Sequence, residues 1–252
     1  IKKPSEEFFF ETPKQPVPSL LRGFSAPVKL KFDYSRQDLI FLLAKDTDSF
    51  ARWEAGHSLA LQSLSHLIRS YSSGATLEGD PEYLHTLGRL AADRSLDPAF
   101  RAQLLDIPEE GYIGQQQDSF HVDAVCAARD FLVNSIAKTN ENAMLDLYHS
   151  LEEKEQYRYD TGQVGRRSLK NTALAYLCHT GKEEYRRIAL EQVKAAGNMT
   201  DEIGGLGALI HYECAERDEA LHHFYQKWNK ESLVMNKWLS MQAISHVSGG
   251  LQ

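Results

Sequence analysis

The chain has 252 residues, 42% of them hydrophobic and 25% charged, with a formal net charge of −7. That length supports a large core, and the composition is that of an ordinary soluble globular chain. The acidic balance argues against nucleic acid or an anionic membrane as a partner, because both would repel it.

The charge is unevenly placed. Residues 1–31 hold six Lys/Arg and three Asp/Glu, a net of +3, which leaves −10 on the remainder. Five of the eight prolines (Pro4, Pro13, Pro16, Pro18 and Pro27) also fall there. Proline lacks an amide donor and clashes inside helices, so this stretch is expected as extended chain and turns. Phe8-Phe9-Phe10 predicts a strand running into a loop at Pro13. Val28, Leu30 and Phe32, alternating with Lys29 and Lys31, predict a half-buried second one. Two strands alone are marginal in water, and three uncovered phenylalanines are an aggregation risk. A short β segment over residues 1–32 is therefore expected to hand over to a helical domain over residues 33–252.

From there the period is helical. Ser35 caps a first helix with Asp38 in its first turn and Leu39, Leu42 and Leu43 on its apolar face. Trp53, Ala60, Leu64, Leu67, Ile68 and Tyr71 recur at helical spacing, with Trp53 expected in the core, and Ser72-Ser73-Gly74 ends that helix. Asp80-Pro81 and Asp97-Pro98 each set an N-cap aspartate before a first-turn proline. Residues 108–117 read as a polar loop. Helices follow over His121–Ala137, Glu141–Leu151, Gly162–His179 (closed by Gly181), Glu183–Ala195, Thr200–Tyr212 with Thr200 as its cap, Asp218–Lys230 and Leu233–Ser245. No proline occurs after Pro108. Short loops between such helices imply antiparallel neighbours stacked as hairpins, so the fold class is mainly α: an irregular α-solenoid without an exact repeat.

Chemistry is hard to find. No HExxH is present, the arrangement that sets two zinc ligands and a general base on one helix face. No Gly-x-Ser-x-Gly elbow is present either. Gly204-Gly205-Leu206-Gly207 lacks the Lys-Ser/Thr of a phosphate loop and reads as a close helix contact. His222-His223 point about 100° apart on a helix and cannot share one ion. His179, His211, His222 and His246 meet only if the fold brings them together, and core or surface histidines are the plainer reading. Cys126, Cys178 and Cys214 are widely spaced, without a CxxC, and read as buried free thiols in a reducing cytoplasm. Trp228, Trp238, Met235 and Met241 read as a core seam between two helices. Arg166, Arg167 and Lys170 read as a solvated basic face. No apolar run of membrane length and no signal-like start occur, and Ile-Lys-Lys-Pro suggests a start inside a longer protein.

The stretch Gln15–Leu30, QPVPSLLRGFSAPVKL, resembles the end of the β-sandwich domain in bacterial-type aminopeptidase N, the alanyl aminopeptidases among the zinc metallopeptidases. Phe50–Ala55 (FARWEA), Arg166–Leu177 (RRSLKNTALAYL) and Phe224–Ala243 (FYQKWNKESLVMNKWLSMQA) are similar to the same family's C-terminal helical domain, in family order. The resemblance implies a parent enzyme that removes N-terminal residues from peptides through a zinc-activated water. Its zinc, catalytic residues and Gly-x-Met-Glu-Asn substrate motif would lie upstream, so no catalytic, cofactor-binding or metal residue is assigned to this chain and no cofactor is expected in it. The helical part would cap the catalytic chamber, restrict access to it, and continue past the equivalent of Gln252. Its partners would be the parent's catalytic and β-sandwich domains and its peptide substrates, with no nucleic acid and no membrane. A freestanding α-solenoid scaffold that binds proteins is the alternative, and the β segment argues against it.

Overall fold

The computed structural model describes residues 4–28, 30–117, 119, 121–152 and 156–247. Among them are twelve α-helices, a three-residue 3-10 turn at Arg22–Phe24, and no β-strand. The chain falls into two compact units, Ile1–Gly56 and His57–Gln252.

In the first unit the expected strands do not form. Phe8–Phe10 and the described residues around Val28–Phe32 carry no ladder; Lys29 lies outside the described residues. A strand persists only when a neighbour takes its alternate N–H and C=O groups, and no described segment pairs with either stretch. Phe8, Phe9 and Phe10 are left exposed, Phe9 at 90%.

The Leu-Leu-Arg-Gly-Phe stretch instead makes a turn in which Leu21, Gly23 and Phe24 have positive φ. This turn grips the loop between α1 (Arg36–Lys45) and α2 (Ser49–Ser72). Arg22 donates to Asp46 Oδ1 at 2.8 Å and to Thr47 Oγ1 at 2.9 Å, and the Gly23 N–H donates to Asp48 Oδ2 at 2.9 Å. Phe24 stacks at 5.1 Å on Phe50. Helix α1 opens on the expected capping box, with Ser35 Oγ accepting from the Asp38 N–H and the Asp38 carboxylate accepting from the Ser35 N–H. Trp53 is a correction: it is half-buried beside Phe50, while Ala51 and Ala55 hold the interior. Leu43 packs against Gly56 on the inner side of α2.

The second unit takes the rest of α2, then α3 (Pro81–Ala92), α4 (Pro98–Leu104), α5 (Glu110–Gln115), α6 (Val122–Thr139) and α7 (Glu141–Ser150). These are followed by α8 (Thr161–His179), α9 (Glu183–Ala195), α10 (Met199–Leu209), α11 (Ala215–Trp228) and α12 (Ser232–Ala243). The aspartate–proline starts are as expected: Asp80 accepts from the Glu82 and Tyr83 N–H groups, and Asp97 from the Phe100 N–H. Gly74 and Gly181 take the left-handed conformation that closes α2 and α8 (φ +71° and +81°). Tyr71, at the end of the α2 stripe, is exposed.

Helix α11 begins three residues earlier than the sequence reading set it, at Ala215, and two further differences concern α10 and α5. The N-cap of α10 is Asn198, whose Oδ1 accepts from the Asp201 N–H at 2.9 Å, so Thr200 lies inside the helix. The polar stretch 108–117 contains α5, anchored by the buried Ile113 and by a Glu110–Arg129 ion pair at 3.3 Å. Two apolar anchors, Ile107 and Ile113, suffice to hold a short helix that polar content disguises.

Helix α8 is the hub of this unit, packing against α4, α6, α7, α9 and α10. Leu169, Ala173, Leu174 and Leu177 are fully buried on it. The glycine run of α10 serves close packing, as expected: a Cβ on Gly205 would lie 2.8 Å from the Ala189 carbonyl of α9. The tryptophan–methionine seam is looser than expected. Trp228, Trp238, Met235 and Met241 are half-buried, and α12, packed chiefly on α11, buries no residue completely.

Candidate functional site

The basic cluster on α8 is not a solvated face. Arg167 is 1% exposed and Lys170 6%, and only Arg166 of the three reaches partway to solvent. A buried cation needs polar partners, and Lys170 has an ion pair while Arg167 has hydrogen bonds and an aromatic face. Arg167 donates to Gln163 Oε1 at 3.1 Å and to the Arg158 carbonyl at 3.3 Å, with its guanidinium 4.8 Å above the Tyr157 ring. Lys170 pairs with Asp201 of α10 at 2.8 Å. Asp201 also accepts from Asn171 and Asn198, and Gln192 ties Asn171 and the Asp201 carbonyl to Tyr148. This network borders a cavity of about 310 Å³. Its charges already satisfy one another, so it reads as the polar core that registers α7, α8, α9 and α10.

A second polar knot joins α10 to α11. Glu202, 1% exposed, accepts from Lys227 and from the Trp228 indole N–H, both at 2.9 Å. That contact explains why Trp228 stops short of the core: its N–H needs a partner at the boundary.

A larger cavity, about 410 Å³, opens between α4, α6 and α8. Arg129 of α6 borders it, held by a hydrogen bond from Nε to the Pro108 carbonyl at 2.9 Å and by Glu110. Tyr176 donates to the Leu105 carbonyl at 2.6 Å, and His179 lies at the end of α8 against Tyr212, whose hydroxyl is 3.3 Å from Nδ1. Burial pushes His179 down to about 4, helped by the charge of Arg129 and by His211 and His246. Burial raises the carboxyl of Asp106 at the rim, opposed by Arg129. Burial likewise raises the Tyr212 phenol. The site therefore brings a guanidinium, a neutral imidazole and an aspartate to one cavity whose lining mixes aliphatic side chains with the hydroxyls of Ser168 and Thr172.

Of the four separated histidines, the structure brings three together. His211 and His246 rings lie 4.5 Å apart, and both act on His179. His222 bonds instead to Gln226 at 2.7 Å along α11. In this trio His179 Nδ1 is engaged by Tyr212, and the His211 and His246 rings pack against each other at a tilt of 45°. Among the described residues no group of three or more His, Cys, Asp or Glu has metal-holding geometry. Cys126, Cys178 and Cys214 are free thiols, and burial pushes Cys178 up to about 12, which leaves it unreactive. None of the described helices is long and apolar enough to cross a membrane.

Arg129, Asp106 and His179 escaped the sequence reading as a set because they lie on α6, a loop and α8. No spacing rule links them.

Residues 36–252 match the family model described as a domain of unknown function (DUF3458_C) with ARM repeats. Aminopeptidase N of Caulobacter vibrioides is 37% identical over 231 residues, covering 91% of this chain and 26% of the relative. Aminopeptidase N of Escherichia coli is 29% identical over 238 residues, covering 94% and 27%. The crystal structure of Legionella pneumophila aminopeptidase A in complex with aspartic acid superposes with a TM-score of 0.78 at 30% identity, covering 93% of this chain and 28% of that one. The chain thus spans about a quarter of the length of the relatives it matches. With helical hairpins throughout its second unit and a family match over residues 36–252, the chain belongs to the aminopeptidase N family.

Proposed function

We propose that this chain is the C-terminal helical part of a zinc-dependent aminopeptidase that removes N-terminal residues from peptides. In this reading it caps the chamber of a catalytic domain, restricts which peptides enter, and contributes no catalytic residue or zinc ligand. Residues 1–32 are the last strands of a β-sandwich domain, which would cover Phe8, Phe9 and Phe10 and supply the ladder partners absent among the described residues. Residues 33–252 form an α-solenoid that continues the same cap. The working partners are the other domains of the parent chain and its peptide substrates, and the setting is the cytoplasm.

The observation that carries the reading is the family match over residues 36–252 together with relatives of roughly fourfold greater length that carry the aminopeptidase name. Zinc-activated water needs a constellation such as HExxH, which this sequence lacks, so the metal belongs to another segment.

Metal analysis and an alanyl anilide assay test it. The 252-residue chain, after chelation and zinc re-addition, is expected to hold no stoichiometric zinc and to show no cleavage above blank. A longer chain that includes an upstream HExxH segment is expected to show both. Tightly held zinc or cleavage by the short chain would overturn the assignment.

A further inference from the structure

The cavity between α4, α6 and α8 has a chemistry that the capping role does not use. Its volume of about 410 Å³ lies within the roughly 300–1,000 Å³ of small-molecule sites and far exceeds the ~30 Å³ of one water. Ala102, Leu105, Val133 and Ala175 supply aliphatic lining, with the hydroxyls of Ser168 and Thr172 among them. Arg129 spends Nε on the Pro108 carbonyl and one terminal nitrogen on Glu110, which leaves N–H donors for a guest. His179 borders the same space as a neutral ring, with its Nδ1 3.3 Å from the Tyr212 hydroxyl. Asp106 stands at the rim as an acceptor.

These groups reject most simple guests. A bare anion meets Asp106, a bare cation meets Arg129, and an apolar solute engages neither charge. A guest that carries a carboxylate, an ammonium and an aliphatic group on one small frame satisfies all three regions at once. We propose that this cavity binds a free α-amino acid with an aliphatic side chain, its carboxylate on Arg129 and its ammonium on Asp106. The three helices belong to one compact unit, so the site stands whether or not the parent is an aminopeptidase.

Calorimetric titration of the 252-residue chain tests this with L-leucine, leucinamide and 4-methylpentanoate as probes. Leucine is expected to bind saturably, with each probe that lacks one charge at least about tenfold weaker. Ala175→Phe, which fills the aliphatic side, is expected to abolish leucine binding. Asp106→Asn, a rim change that leaves the packing intact, is expected to weaken leucine about tenfold and to spare 4-methylpentanoate. If Ala175→Phe fails to fold, Asp106→Asn decides alone. No saturable leucine binding, equal binding of leucinamide, or leucine binding unchanged by Asp106→Asn would each overturn the proposal.

Discussion

Lys170 of α8 and Asp201 of α10 form an ion pair at 2.8 Å with both side chains only 8% exposed. Desolvating two charges is costly, and removing one partner strands the other in the interior. Lys170→Met is therefore expected to cost about 3–5 kcal/mol in urea melts. Lys170→Met with Asp201→Asn removes both charges and is expected to recover at least half of that loss. Recovery of none would mean that the hydrogen bonds from Asn171 and Asn198 to Asp201, not the charges, set the register.

Gly88 lies against Asn140, which ends α6 and begins α7 and donates to the carbonyls of Leu84 and Ile136 at 3.0 Å each. A Cβ on residue 88 would sit 2.0 Å from Asn140 Oδ1. Gly88→Ala is expected to destabilise the chain by about 1–3 kcal/mol, an overpacking cost. Adding Asn140→Ala should relieve the clash, so the double substitution is expected to lose less than the sum of the two single ones. Additive losses in thermal melts would show that the two residues do not press on each other.

His179 ties stability to pH. Its folded value of about 4 lies below the ordinary 6.5, for burial first and then for the charges of Arg129, His211 and His246. A group depressed on folding binds fewer protons in the native state. Its contribution is therefore complete above about pH 6.5 and drains away as pH falls toward about 4, reaching roughly 2 kcal/mol after allowing for partial solvent access. His179→Gln is expected to flatten that part of the stability profile. An unchanged profile between those limits would show that other groups dominate the acid transition.

Within the first unit, Arg22 reaches Asp46, whose side chain is only 2% exposed. Arg22→Ala leaves that carboxylate without its cation and is expected to raise amide exchange across residues 46–48 by about tenfold, matching a loss of about 1.4 kcal/mol in local protection. Exchange that stays at the parent rate would mean the Gly23 and Ser19 contacts hold the loop unaided.

Eleven of the twelve helices and most of their caps were legible because they obey local rules. Ser35 with Asp38, Asp80-Pro81, Asp97-Pro98, Gly74 and Gly181 act on backbone groups within four residues, so their effect is written in adjacent positions. Family membership was legible for a similar reason, in short runs such as RRSLKNTALAYL. What the sequence did not disclose depends on partners far along the chain. Arg167 and Lys170 look like any exposed helical cations until Asp201, some thirty positions away, and the carbonyl of Arg158 bring them inside. Trp53 leads an apolar stripe yet stops halfway, beside Phe50, while Ala51 and Ala55 take the interior. The alternation of Val28, Leu30 and Phe32 states a strand's period but cannot provide the neighbour that a strand's N–H and C=O groups require. Asp106, Arg129 and His179 meet only because α8 packs on α4 and α6 at once. Local hydrogen bonding determines where helices start and stop; burial of side chains between distant helices decides which charges are paired and where a cavity remains.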